Sequence, residues 1–253
     1  MLIGKNSTLT VVGNNGNLRI YVDGIEVVNT NTGTGFSFSS LILGRFAYFN
    51  GDISAHIIRS QALTTSQVAA EHAVLREMYP EIPSVTIDTL TVATSNLEMV
   101  ANTAGTVITQ ATTDTDWQTG AARWCYYLNN TTTGATYGKI YNKLARNVII
   151  TSPPSGWHVS TYSELNMLKN NAANNLKVEG TDYWNTANGI NKNGFTALGG
   201  GLRNTDATFT GLKDSTAFWA ADVDSVLIIR DNGTMDFIHA ANELGAYIRL
   251  IAD

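Results

Sequence analysis

Two prolines, Pro80 and Pro83, constrain the chain more than any other feature of its sequence. Proline lacks a backbone N–H and disfavours helical geometry in the residue before it, so this segment favours an extended connection. A chain of 253 residues is long enough for one large domain or two small ones. We therefore predict a domain over residues 1–80, a linker over 81–84 and a second domain over 85–253.

Small uncharged polar side chains indicate the structural class. The chain has 25 Asn and 32 Thr residues, whereas charged residues make up only 15% of it. Asn and Thr suit turns and strands better than helices, which excludes an all-α bundle. The hydrophobic fraction of 43% can build a core, and no uncharged apolar run is long enough to span a membrane. The composition predicts a β-rich α+β protein.

The first domain contains short apolar segments separated by Gly and Asn. Asp23-Gly24 is a typical two-residue hairpin turn. Apolar residues at helical spacing predict a helix that begins at Thr64 and is stopped by Pro80. Strands are predicted over residues 7–12, 18–22, 25–28, 36–43 and 53–59.

The second domain contains one clear helical pattern among short strands. Thr161 and Glu164 have the spacing of a capping box, so we predict a helix over 161–170. Gly199 to Gly201 are not followed by the Lys and Ser or Thr of a phosphate-binding loop. We therefore predict a tight turn at these three glycines.

Charge and cysteine content exclude several partners and chemistries. The net charge of −5 and the lack of a basic run argue against nucleic acids and anionic membranes as partners. The N-terminal residues lack the pattern of a secretory signal. Cys125 is the only cysteine, so the chain forms no intrachain disulfide, which suits a reducing compartment. Its aromatic neighbours favour a small buried residue on a strand.

We expect no enzymatic activity and no cofactor. The sequence signals neither the two carboxylates that a glycosidase holds across its cleft nor a nucleophile motif, and the four histidines are too far apart for a local metal motif. Two pairs of carboxylates, Asp114 with Asp116 and Asp222 with Asp224, leave Ca²⁺ open as an alternative to solvated turns.

Four ordered motifs of the first domain resemble the second half of a laminin-G or concanavalin-A-like jelly roll. The resemblance implies an antiparallel β-sandwich that is only partly present. A second copy of the chain or upstream chain would then complete it. The motifs are Leu18 to Gly24, Leu41 to Gly44, Phe49 to Ser54 and Arg59 to Thr64.

Eight motifs make the second domain similar to the Fibrobacter succinogenes major paralogous domain, a family related to C-type-lectin-like folds. What the resemblance implies is a cell-surface or phage-borne ligand-binding domain. The motifs are Trp124 to Tyr127, Tyr137 to Asn142, Pro154 to Thr161, Glu164 to Leu165, Tyr183 to Asn185, Asn193 to Arg203, Phe218 to Trp219 and Gly245 to Arg249.

These features predict a receptor-binding protein of a bacteriophage tail or fibre, located in the virion, that attaches to a host surface glycan or protein. Fibre proteins are commonly homotrimers, and the expectation of a homo-oligomer rests on that analogy. One alternative is a carbohydrate-binding or adhesion module of a bacterial surface or secreted protein. Another is a structural spacer in the virion.

The predicted ligand contacts lie mostly between two framework motifs, where the chain departs from the family. In related lectin-like proteins this segment is rewritten by diversity-generating retroelements. Replacing Asp222, Asp224 and Arg230 together by Ala should then abolish binding without changing thermal stability. The predicted contact residues are Tyr183, Trp184, Asn185, Asn204, Asp206, Phe209, Trp219, Asp222, Asp224, Ser225, Arg230, Asp231 and Asn232.

Overall fold

The computed structural model of the protein describes residues 9–14, 17–22, 25–31, 64–70 and 82–253. The chain divides into two compact units, Met1–Glu81 and Ile82–Asp253. None of the helices within the described ranges is long and apolar enough to cross a membrane.

The first unit contains a three-stranded antiparallel sheet with the strand order β1-β2-β3. The predicted hairpin is present, because Val22 lies opposite Ile25 with two residues between them. The strands predicted over 36–43 and 53–59 lie outside the described residues. The three strands are β1 (Leu9–Asn14), β2 (Asn17–Val22) and β3 (Ile25–Asn31).

A helical segment over 65–70, here α1, begins where the sequence predicts it. Thr64 Oγ1 accepts a hydrogen bond from the Gln67 N–H at 3.3 Å, and Gln67 Oε1 accepts one from the Thr64 N–H at 2.9 Å. Tyr21 is fully buried and packs in one cluster with Val12 and Val68. Its hydroxyl lies 3.2 Å from Thr65 Oγ1, which ties β2 to α1.

The second unit is built on two sheets. The larger is a mixed sheet of nine strands, and the smaller has four. The strands are β4 (Ser84–Ile87), β5 (Leu90–Ala93), β6 (Thr109–Gln110), β7 (Arg123–Cys125), β8 (Ile140–Asn142), β9 (Trp157–Val159), β10 (Gly200–Arg203), β11 (Phe209–Leu212), β12 (Ser215–Trp219), β13 (Ser225–Arg230), β14 (Met235–His239), β15 (Gly245–Ala246) and β16 (Leu250–Ala252).

The larger sheet has the order β14-β13-β12-β10-β15-β8-β7-β6, and β11 pairs with β10. The smaller sheet has the order β4-β5-β16-β9. The helices are α2 (Asp114–Trp117), α3 (Thr131–Tyr137), α4 (Lys143–Thr151), α5 (Tyr162–Lys169) and α6 (Ala173–Leu176), with a 3-10 turn at Tyr127–Asn129. The protein is therefore a β-rich α+β protein, as its composition predicts.

Helix α5 confirms the predicted capping box. The Glu164 carboxylate accepts a hydrogen bond from the Thr161 N–H at 2.8 Å, and Thr161 Oγ1 accepts one from the Glu164 N–H at 3.3 Å. Leu165 and Leu168 are buried. The prediction of a single clear helix was wrong, because α3 and α4 also form, each capped by the side chain of an Asn.

The three glycines at 199–201 do not make the predicted tight turn. Gly200 and Gly201 belong to β10, where the backbone approaches other groups too closely for a side chain. A Cβ on Gly200 would lie 2.4 Å from the Tyr247 hydroxyl oxygen. Gly201 has φ +70°, and its Cβ would lie 2.5 Å from the Thr210 carbonyl oxygen. Close packing inside a sheet explains these residues.

The core of the second unit combines aromatic residues with buried cations. All five tryptophans are buried, at most 7% exposed. The Arg203 guanidinium lies between the rings of Trp117 and Phe209, at 4.7 and 4.6 Å from their centroids. Arg249 lies in the same way against Phe195 at 4.5 Å. Such stacking stabilises a cation that has lost its water.

Candidate functional site

The predicted contact residues do not form one site. They separate into two groups at opposite ends of β13, which runs from Ser225 to Arg230. Five residue steps along a strand correspond to roughly 16 Å. Strands β10 and β12 are parallel, so the turns that follow them lie at the Ser225 end. The turns at 213–214 and 231–234 lie at the Arg230 end, because Ser215 pairs with Arg230.

At the Ser225 end, the turn that follows β12 is held by Arg146. This buried side chain donates from Nη1 to the carbonyl oxygens of Ala220 at 2.5 Å, Ala221 at 2.8 Å and Val223 at 3.2 Å. The Asp224 carboxylate accepts from Lys143 Nζ at 2.6 Å and from Arg146 at 3.3 Å. The hydrogen bond from Lys143 is the main reason that the pKa of Asp224 is lowered.

The neighbouring polar residues at this end also hold local structure. Asp222 accepts a hydrogen bond from the Tyr162 N–H at 2.7 Å, in the first turn of α5. Asp206 accepts from the Thr208 hydroxyl at 2.6 Å, and this bond lowers the pKa of its carboxyl. Asn204 donates to Thr208 Oγ1 at 3.0 Å. Replacing Asp222 and Asp224 would therefore also remove hydrogen bonds that hold this turn, and the expectation that thermal stability stays unchanged remains a prediction.

The two acidic pairs considered for Ca²⁺ already have partners. Asp114 pairs with Arg203 at 2.7 Å. Asp116 accepts a hydrogen bond from the Thr113 N–H at 3.1 Å and completes a capping box at α2. The hydrogen bond of the Thr113 side chain is the main reason that the pKa of Asp116 is lowered, and the backbone N–H groups of Thr112 and Thr113 add to it. Across the described residues, no three His, Cys, Asp or Glu side chains converge as a metal site would require.

Three aromatic residues predicted to contact a ligand pack against other residues of the second unit. Trp184 and Trp219 are fully buried, and their indole N–H groups donate to the carbonyl oxygens of Ala197 at 3.0 Å and Tyr141 at 2.8 Å. Phe209 packs against Tyr127 with ring centroids 5.2 Å apart. The expectation that Trp184 and Trp219 contact a ligand does not hold, because both side chains lie inside the core. Phe209 is only partly buried at the edge of the core, and its ligand contact stays a prediction.

Tyr183 and Arg230 are partly buried and have partners of their own. The Tyr183 ring meets Tyr137 edge to face, with centroids 6.2 Å apart. Arg230 donates to the Asp236 carboxylate at 2.5 Å. Ser225 begins β13 at the other end and is also only partly exposed.

The Arg230 end carries a compact group of polar loops. The Asn185 N–H donates to the Lys213 carbonyl oxygen at 3.1 Å, and the Asp231 N–H donates to the Asp214 carbonyl oxygen at 2.7 Å. The Thr186 N–H donates to the Asp231 carboxylate at 3.1 Å. We call this the polar loop surface, defined by residues 185–187, Asp214 and residues 231–234.

Buried Lys177 holds the polar loop surface in place through hydrogen bonds. It follows α6, is fully buried and donates to the Asp231 carbonyl oxygen at 2.7 Å and to Asn188 Oδ1. Its ammonium lies 4.8 Å from the centre of the Trp184 ring. Burial lowers the pKa of Lys177, and the nearby charge of Asp231 opposes this. Sequence reasoning missed this residue, because a single lysine in a polar segment carries no recognisable pattern.

The chemistry of the polar loop surface is that of hydrogen bonding. Asn185, Thr186, Asp214, Asn232 and Thr234 are exposed and supply amide, hydroxyl and carboxylate groups. None of the large apolar side chains that are exposed within the described residues belongs to this surface. Fixed polar groups without an apolar centre suit a ligand that is itself rich in hydroxyl groups.

His158 forms a separate cluster of titratable groups. Its Nδ1 lies 2.7 Å from Asp253 Oδ1, and its Nε2 lies 2.8 Å from Glu164 Oε1. Burial alone would lower the pKa of His158, but the hydrogen bonds and charges of these two carboxylates outweigh burial and raise it. The cluster joins β9 to α5, so we assign it to stability.

The second unit is a β-rich α+β domain with ordered polar loops at the ends of its larger sheet. The family model of the Fibrobacter succinogenes major domain matches residues 85–251. The protein belongs to this family, and the resemblance found for its second domain is confirmed. No curated protein and no solved structure was found to match the chain. The laminin-G-like resemblance of the first domain stays a prediction.

Proposed function

We propose that this protein is a non-enzymatic receptor-binding protein and that the polar loop surface contacts its ligand. The observation that supports this most directly is the combination of exposed polar side chains with a fixed backbone. Hydrogen bonds from Asp231 and Lys177 hold the loops in one arrangement. A surface that is already ordered loses little conformational entropy when it binds.

The ligand class we propose is a glycan. Protein partners usually bury an apolar or aromatic centre, with anchors such as Trp and Tyr. Trp184 is fully buried beneath this surface and cannot serve as such an anchor. Exposed amides, hydroxyls and carboxylates instead match the alternating donors and acceptors of sugar hydroxyl groups.

The setting we propose is the tail or fibre of a bacteriophage that attaches to a host cell surface. Two β-rich units in tandem, with Cys125 as the single cysteine of the chain, suit a particle that assembles in reducing cytoplasm. A fibre would be a homo-oligomer, with a trimer expected by analogy. The alternative is an adhesion module of a bacterial surface or secreted protein, and a virion spacer is a third role.

A bulky substitution that removes no contact tests the binding surface. Ala187 is exposed within the polar loop surface, whereas Ala241 is exposed beyond β14, at the opposite end of the sheet. We expect the full chain to bind members of an array of bacterial surface glycans. Ala187→Arg should weaken this binding at least tenfold, and Ala241→Arg should leave it unchanged.

Two results would contradict this proposal. If Ala187→Arg binds as tightly as the unchanged protein, the ligand lies elsewhere. If the chain binds intact bacteria but loses that binding after protease treatment of the cells, the receptor is a protein.

A further inference from the structure

Lys177 and Asn188 are positioned for a reaction that the proposed function does not require. Lys177 Nζ donates directly to Oδ1 of Asn188, so the amide carbon Cγ is one bond from the atom it touches. The Asp231 carboxylate oxygen Oδ1 lies 3.9 Å from the same Nζ. An amine, an amide and a carboxylate therefore meet in one place, and the lysine side chain is completely shielded from water.

The backbone holds these groups together. Gly189 follows Asn188, and a Cβ on it would lie 2.2 Å from the Val178 carbonyl oxygen and 3.0 Å from that of Lys177. The segments 177–178 and 188–189 are thus in direct contact. The Asn188 amide is also fixed, because its Nδ2 donates to the Asp231 carbonyl oxygen at 2.7 Å. Neither side chain needs to search for the other, which is the condition for an efficient intramolecular reaction.

We propose that Lys177 Nζ and Asn188 Cγ join in an intramolecular isopeptide bond, with Asp231 as the group that carries the protons. Burial away from water disfavours the ammonium form of a lysine, and desolvated lysines act as nucleophiles. The lowered pKa of Lys177 agrees with this environment.

The reaction balances without an oxidant, a reductant or a cofactor. Asp231 accepts a proton from the Lys177 ammonium, and the neutral amine attacks Asn188 Cγ to form a new carbon–nitrogen bond. The bond from Cγ to Nδ2 then breaks. Asp231 passes to the departing nitrogen the proton it accepted and the second one that Nζ releases. The products are the cross-link and one ammonium ion, and Asp231 returns to its carboxylate form.

Such a bond would join the end of α6 to the segment that carries Asn185 and Thr186. The polar loop surface would then be fixed covalently as well as by hydrogen bonds. A cross-link between residues 11 positions apart also restricts the unfolded chain, as a disulfide does.

Tryptic digestion of the denatured full-length protein, followed by mass spectrometry, tests the bond. Trypsin cannot cleave after a lysine whose side chain has become an amide. We expect residues 170–192 to appear as one peptide, uncut at Lys177 and lighter than its sequence mass by one ammonia molecule. Separate peptides 170–177 and 178–192 at their sequence masses would overturn the proposal.

One competing reaction also releases ammonia, because Asn188-Gly189 is a sequence prone to succinimide formation. A succinimide leaves Lys177 free, so ammonia loss together with cleavage at Lys177 would also overturn the proposal.

Asp231→Asn is the matched variant, since it keeps the size of the side chain but cannot accept the proton. We expect cleavage at Lys177 in this variant, and an uncut peptide would refute the role of Asp231. Should this variant fail to fold, the digest of the unchanged protein decides whether the bond exists.

Discussion

Replacing Arg249 by Met should remove a buried cation that makes several hydrogen bonds in the core. The guanidinium donates to the carbonyl oxygens of Ala93 at 2.8 Å, Phe195 at 2.9 Å and Thr196 at 3.2 Å. Burial lowers its pKa to about 9, so it stays charged at neutral pH. Its Nε also donates to Asn96 Oδ1 at 2.8 Å. Methionine keeps much of the side-chain volume but leaves the three carbonyl oxygens and the Asn96 oxygen without this donor.

The expected loss in the free energy of unfolding follows from these hydrogen bonds. A buried acceptor without a partner costs about 1–3 kcal/mol, so the three carbonyl oxygens alone correspond to about 3–9 kcal/mol before any relaxation. Local relaxation and the removal of a desolvated charge both reduce this cost. We expect Arg249→Met to lower the free energy of unfolding by about 4 kcal/mol, out of a total of about 5–15 kcal/mol for a typical domain.

Urea unfolding followed by tryptophan fluorescence measures this change. Arg230→Met is the matched control, since the Arg230 side chain is 34% exposed and pairs with an Asp236 side chain that is 58% exposed. Exposed ion pairs contribute about 0–1 kcal/mol, and the control should lose no more than that. Equal effects of the two substitutions would refute the idea that the buried guanidinium organises the core.

Three further predictions concern reactivity, pH and packing. Burial raises the pKa of Cys125 to about 12, so a thiol reagent should modify it only after unfolding, and rapid labelling of the native protein would contradict this. The pKa of His158 is raised above its ordinary 6.5, so its stabilising effect is complete below that pH and is lost as the pH rises through the folded value. The stability difference between the protein and His158→Gln should therefore shrink with rising pH in denaturant titrations, and a constant difference would exclude a titrating role. Gly200→Ala forces a Cβ to within 2.4 Å of a buried tyrosine hydroxyl and should lower the free energy of unfolding by about 1–3 kcal/mol, whereas no loss would mean that the core adapts.

Local signals in the sequence identified local structure. The hairpin pairing of β2 with β3 and the capping box at Thr161 depend on a few adjacent residues, and the structure contains both. Helix α4 was missed although Asn142 caps it, because nine residues with a mixed apolar pattern give a weak helical signal. The glycines of β10 were misjudged because the groups that crowd them, such as Tyr247, lie far away in the sequence.

The site was less predictable than the elements, because polarity does not reveal orientation. Tyr183, Trp184 and Asn185 are adjacent in a polar segment, yet the tryptophan points into the core and the asparagine faces solvent. The residues predicted after β12 and β13 are separated by the full length of a strand, which only the pairing of the strands reveals. Lys177 matters through contacts with residues up to 54 positions away.

The placement of β16 has a consequence for the order in which this domain is built. Strand β16 lies between β5 and β9 in the smaller sheet and pairs with both. Its partner Val92 precedes Ile251 by most of the length of the unit, so this sheet cannot close until the ribosome has released the unit as far as β16. Contacts of such long range slow folding and leave unpaired edges exposed during synthesis. A nascent chain stalled before residue 250 should therefore stay sensitive to protease and bind chaperones.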